Sequence, residues 1–234
     1  MEFKLNDDVS RCWYKKVCFK SGTDDCDRFC DKFFRLTRLA TYSLLTEQQQ
    51  HPIQLCCYNE DYESYMRLSK IKDDIKNFVS CGKNLFIHSE NTGNGKTTWA
   101  TKLLMQYLQS IMLNVSIEPH ALFIDTISFL TQLKYTFNGG KNDKIDYILK
   151  WVNKVDLVVW DDIGSSKLSE YEQNLLFTLI NERLNSRKSN IYTSNAKDAM
   201  MPELLGNRLY SRVVTNSECV VFYGLDLRGV SIDK

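Results

Sequence analysis

The chain has 234 residues, 43% of them hydrophobic and 25% charged, with ten Gly and three Pro. That suits one ordinary domain with a small appendage, or two domains at most, and excludes a mainly disordered or collagen-like chain. Thirty Lys and Arg against 29 Asp and Glu leave a formal charge of +1, so no global basic field marks a nucleic-acid or anionic-membrane surface.

No run approaches the roughly 18 unbroken apolar residues of a membrane helix. The charged start MEFKLNDDVSRCW lacks the apolar segment of a secretory signal. A soluble protein that stays in the compartment of its synthesis is expected, with no membrane partner.

Six of the eight cysteines fall early in the chain, at Cys12, Cys18, Cys26, Cys30, Cys56 and Cys57. In a reducing compartment, clustered cysteines more often bind metal or sit buried than form disulfides. The spacing Cys12-x5-Cys18-x7-Cys26-x3-Cys30 offers four thiolates, the number tetrahedral zinc takes. The alternative is four reduced thiols packed as small hydrophobes. An amphipathic helix is expected from Cys30 to Leu45, and the polar run Thr46–Pro52 reads as a linker because nothing in it offers an apolar face. Residues 1–50 thus read as a cysteine-rich N-terminal unit, 51–60 as a connection and 61–234 as the main domain.

The main domain opens with a helix expected over Asp61–Val79, where Tyr65, Leu68, Ile71, Ile75 and Phe78 recur every three or four residues. Beyond Cys81, short apolar runs alternate with helical patterns. Strands are expected at Asn84–His88, Ala121–Ile124, Leu157–Trp160, Asn190–Thr193 and Cys219–Phe222. Helices are expected at Lys96–Ile111, Thr126–Phe137, Asn142–Asn153, Glu170–Ser186 and Pro202–Arg212, the fourth with a capping box at Ser169–Glu172. Such alternation implies an α/β fold of three layers around a parallel five-stranded sheet.

Between the first strand and its helix runs Glu90-Asn91-Thr92-Gly93-Asn94-Gly95-Lys96-Thr97-Thr98, a phosphate-binding loop. Small residues let successive backbone N–H groups turn onto phosphates, a lysine reaches the β- and γ-phosphates, and a hydroxyl holds Mg²⁺. Thr92, Gly93, Asn94, Gly95, Lys96, Thr97 and Thr98 are the candidate ATP-binding residues. Glu90 stands where glycine is usual, and is expected to strain the loop or bring a negative charge near the nucleotide, weakening affinity without abolishing binding.

Leu157–Trp160 ends in Asp161 and Asp162, 65 and 66 residues beyond Lys96. One acid at such a strand end holds Mg²⁺ and its neighbour positions the attacking water. Asp161 with Thr97 suits the metal and Asp162 the water. Asn195 closes the next strand, where its amide would bind the γ-phosphate or orient that water, although an asparagine after a strand is otherwise a turn residue.

With Leu176–Arg183, Leu204–Val213 and Tyr223–Arg228, these segments resemble the AAA+ ATPases of the DnaC/DnaI helicase-loader group. The resemblance implies a P-loop AAA+ (ASCE) core without a lid domain, in a cytoplasmic protein of bacterial or phage origin. It implies that Arg212, or Arg208 one turn away, serves as an arginine finger in a neighbouring subunit's site. It also implies that Arg228 senses the γ-phosphate in cis. Its partners would be a hexameric replicative helicase, gripped by the N-terminal unit, single-stranded DNA, and further copies of the chain assembled with ATP. Lys134, Tyr135 and Phe137, with Lys167 and Tyr171, would face a central pore where DNA stacks and tracks. Two rivals stand beside the loader: an ATPase helper of a transposase on the same fold, and an adaptor that holds ATP without hydrolysing it.

Overall fold

The computed structural model describes residues 3, 8, 9, 12–51, 55, 57, 59–137 and 139–224. Five parallel strands form its centre: β1 (Asn84–His88), β2 (Ala121–Asp125), β3 (Leu157–Asp161), β4 (Ser189–Ser194) and β5 (Glu218–Val221). Their order across the sheet is β2-β3-β4-β1-β5. The helices are α1 (Asp31–Tyr42), α2 (Tyr62–Asp73), α3 (Ile75–Ser80), α4 (Lys96–Ile111), α5 (Thr126–Phe137), α6 (Asp143–Trp151), α7 (Glu170–Asn185), α8 (Met201–Leu205) and α9 (Asn207–Tyr210). Among the described residues no helix is long and apolar enough to cross a membrane.

The strands read as unbroken apolar runs because both faces of the sheet are covered. Alternate residues divide cleanly between two cores. Leu85, Ile87, Val159 and Ile191 pack with α1, α2, α3 and α4. Phe86, Val158, Trp160 and Tyr192 pack with α5, α6, α7, α8 and α9. The expected three-layer α/β architecture is therefore present, and all five expected strands occur within a residue or so of their bounds. At the strands' starting edge Arg183 is fully buried. It donates to the carbonyls of Val152, Val155, Asp156 and Ser189 and to Asn190 Oδ1, tying the ends of α6 and α7 to the starts of β3 and β4.

Three expectations need correction. The helix expected over Asp61–Val79 breaks at Asp74 (φ −116°, ψ 29°), which lets Ile75, Phe78 and Val79 turn into the core beside Leu68. The helix expected over Pro202–Arg212 is interrupted at Gly206 (φ 77°, ψ 145°), a conformation close to glycine-only. It ends in a π-helical turn, Ser211–Thr215. The stretch Thr46–Pro52 does bury a residue: a 3-10 turn at Gln48–Gln50 sinks Gln50, whose amide donates to the Leu45 carbonyl and whose own carbonyl accepts from Trp13 Nε1. Leu36, Leu39, Ala40 and Leu45 belong to the same apolar cluster as α4 and β1, so packing does not pause at residue 50. The Ser43 carbonyl accepts from the backbone of Phe123 in β2, which fixes α1 to the sheet.

Candidate functional site: the phosphate loop and the ends of β3 and β4

The loop between β1 and α4 takes its shape from Gly93 (φ 74°) and Gly95 (φ 93°). No atom lies within 4 Å of a Cβ built on Gly95, so its glycine serves backbone conformation rather than space. Glu90 is exposed and is not among the residues with positive φ, so the left-handed backbone that glycine would ease is not required at that position. Ser89 Oγ, buried at the end of β1, accepts from the Asn91 N–H and the Asn94 amide. Lys96 is buried at the head of α4, and its ammonium donates to the Asn91 carbonyl (2.7 Å) and to Asn94 Oδ1 (2.8 Å). The loop thus wraps around the lysine, which is aimed where a phosphate chain would lie against the positive end of α4.

Asn91 also donates to the carbonyls of Tyr223 and Gly224, whose N–H groups are held by the buried Asp61. The segment beyond β5 therefore departs from beside the phosphate loop. Arg228 lies outside the described residues.

Thr97 reaches across to β3, its hydroxyl 3.0 and 3.2 Å from the two oxygens of Asp161. Burial pushes the Asp161 carboxyl up to about 6, against hydrogen bonds from Thr193 and Thr97 that favour the charged form. A desolvated carboxylate facing a threonine hydroxyl is short of positive charge, and this donor pair fits Mg²⁺. Asp162 sits in the left-handed region (φ 60°) and accepts from the Asn195 amide. Because β4 lies between β1 and β3, Asn195 stands beside both the acids and the phosphate loop, as the sequence leads one to expect.

Two residues escaped the sequence reading. Thr193, buried in β4, donates to Asp161 Oδ1 (2.6 Å) and accepts from the Asp162 N–H (2.9 Å), so one hydroxyl sets both acids. His88, the last residue of β1, contacts the Ala196 carbonyl and lies 3.2 Å from Asp198, fastening the turn after Asn195. The only signal for either was a polar residue in an otherwise apolar strand.

Other candidates lie elsewhere. Arg208 and Arg212 stack on Phe177 of α7, and neither shares a hydrogen bond with the phosphate loop. Lys134 pairs with Glu172 (3.0 Å) and Lys167 with Glu203 (2.9 Å), which neutralises the positive charge expected there. Tyr135 and Tyr171 are exposed; the side chain of Phe137 lies outside what is described.

The zinc expectation is not supported. Cys12, Cys18, Cys26 and Cys30 line one cavity of about 390 Å³, but among the described residues no three His, Cys, Asp or Glu side chains are arranged to hold a metal ion. Each cysteine stands on or beside a separate tight turn, closed by bonds such as Cys18 N to the Tyr14 carbonyl and Cys26 N to the Thr23 carbonyl. Burial pushes the Cys12 thiol up, and its neighbours Cys30, Cys26 and Cys18 add to the rise.

The family model described as IstB-like ATP binding protein matches residues 50–220, which include the phosphate loop, both acids and Asn195. The chain belongs to this family. Among curated relatives, the protein named replicative helicase loader DnaC from Escherichia coli K12 is 28% identical over 178 residues, 73% of this chain and 69% of that one. The DnaC of Buchnera aphidicola from Acyrthosiphon pisum is 28% identical over 131 residues, 55% of this chain and 49% of its own length. The chain thus spans about half the length of some of the curated relatives it matches.

The fold of this IstB-like chain is shared with solved structures. A DnaC helicase loader aligns with TM-score 0.58 at 23% identity, covering 73% of this chain and 94% of that one. Domain III of the Thermotoga maritima initiation protein DnaA aligns at 0.56 and 20%, covering 73% and 65%. The core is an AAA+ ATP-binding fold.

Proposed function

We propose that this chain is an ATP-dependent loader that holds a hexameric replicative helicase and delivers it onto single-stranded DNA in the bacterial cytoplasm. The single observation that supports it best is the junction where Thr97 meets Asp161 and Asn195 meets Asp162, in a chain whose E. coli relative is named a replicative helicase loader. Lys96 and the loop N–H groups hold the β- and γ-phosphates, while Thr97 and Asp161 are the ligands offered to Mg²⁺. When bound, that ion neutralises phosphate charge and fixes the phosphate geometry. Asp162, kept in place by Asn195, orients the attacking water. Arg212 completes the site of the adjacent copy, so hydrolysis is slow and depends on subunits stacking with ATP between them. Arg228 senses the γ-phosphate within its own chain.

A second reading, the ATPase helper of a transposase, is favoured by the IstB-like name of the family itself. The non-hydrolysing adaptor stays as the third reading, and a turnover assay separates it from the other two. Purified chain, purified hexameric helicase and circular single-stranded DNA separate these readings. Loading should require ATP, and Lys96→Ala should neither bind a fluorescent ATP analogue nor load. Capture of a purified transposase, with no helicase retained, would replace the loader with the helper.

A further inference from the structure

Arg208 and Arg212 project from one face of the segment that follows α8, while Leu209 and Val213 anchor its other face in the core. Among the described residues neither arginine pairs with a carboxylate. Their partners are neutral and come from one face of α7, at positions 177 and 181. Arg212 Nε donates to Asn181 Oδ1 (2.9 Å), and its guanidinium lies 5.8 Å from the Phe177 ring centre. Arg208 lies 4.3 Å over the same ring and makes no hydrogen bond among the described residues.

We propose that Phe177 and Asn181 form a seat that presents Arg212, rather than Arg208, as the finger for the adjacent subunit's ATP. The proposal rests on the trans-finger reading above and adds the residues that position it. A finger must keep its full charge and its terminal donors for phosphate. A carboxylate partner would neutralise that charge, as it does at Lys134 and Lys167. An amide oxygen on Nε and a ring beneath the guanidinium fix the side chain yet leave both terminal NH₂ groups available. The π-helical turn Ser211–Thr215 sets this aim, because it alters the side-chain spacing that a plain α-helix would give. Arg208 has the ring but lacks the amide, and so has nothing to fix its direction.

The test uses the full chain at concentrations where ATP drives assembly. Asn181→Ala and Phe177→Leu should lower steady-state ATP turnover by about ten- to a hundredfold, the scale of loss when a catalytic group is displaced by about an ångström. ATP-analogue affinity, assembly and melting temperature should remain near wild type. Phe177→Tyr, which keeps the ring, should retain turnover. Asn181→Asp should pair with Arg212 and lose turnover without loss of stability. In an Arg212→Ala background, Asn181→Ala should cause no further loss, the mark of a residue acting through Arg212. If Arg212→Ala is inert while Asn181→Ala and Phe177→Leu turn over at the wild-type rate, the seat is overturned and the finger stands. If Arg212→Ala itself turns over normally, both are overturned.

Discussion

Thr193 shows how much of the candidate site rests on a single hydroxyl. It donates to Asp161, the carboxylate proposed for Mg²⁺, and accepts from the backbone of Asp162, the acid proposed to orient water. Thr193→Val keeps the shape and removes both bonds. ATP turnover should fall by about ten- to a hundredfold, the usual cost of losing a residue that orients a ligand, while Thr193→Ser recovers most of it. Wild-type turnover in Thr193→Val would refute this role.

At the other edge of the sheet, His120, Lys188 and Tyr107 surround Asp156 and hold its carboxyl well below the usual carboxylate range. His120 is raised in turn by its bond to Asp156. A depressed carboxylate gives stability that is present above its unfolded pKa of about 3.9 and lost as pH falls through the lower folded value. A raised imidazole gives stability that is present below about 6.5 and lost as pH rises through the folded value. The cluster is therefore worth most between about pH 4 and 6.5. Urea denaturation across pH should show Asp156→Asn with a shallower loss of stability below pH 4 than the wild type; identical acid limbs would contradict this.

Among the elements, α1 matters most for how the chain divides. Its residues Leu36, Leu39 and Ala40 are buried with the α4 side of the sheet, so the cysteine-rich turns before it are fastened to the ATP-binding core. Leu39→Ala should destabilise the whole protein by about 2–5 kcal/mol, as for other buried leucines. Calorimetry should show one cooperative transition shifting down, whereas two transitions would show a unit that folds apart. The same packing means that deleting residues 1–50 would strip apolar surface from the core, so point substitutions are the cleaner probe of that region's partners.

For the whole molecule, the charge is nearly balanced, and the catalytic constellation lies at the ends of the strands while the candidate finger rests on α7. On the finger role proposed above, such a chain carries both halves of a site and joins them only with a neighbour. An ATP analogue should therefore shift the sedimentation coefficient upward. Arg212→Ala should still assemble, yet turn over about 10³–10⁵-fold more slowly, the range for losing an arginine finger. Unimpaired turnover by Arg212→Ala would remove the need for a neighbour.

The sequence by itself determined the sheet, the phosphate loop and the two acids, because each is a local pattern: apolar runs long enough to cross a two-sided core, glycines at positive φ, carboxylates at a strand end. It also placed Asn195, since parallel strands deliver their ends to one edge. Tertiary structure decided what depends on neighbours distant in the chain. Gln50 is polar yet buried because Trp13 and Leu45 bond to it. The cysteine spacing allowed a metal, but the turns hold the thiols around a cavity. Thr193 looked like an ordinary strand residue until β3 was laid beside β4. The resemblance put Arg212 ahead of Arg208, and the packing of α7 beneath them gave Arg212 an amide partner and left Arg208 with the ring alone.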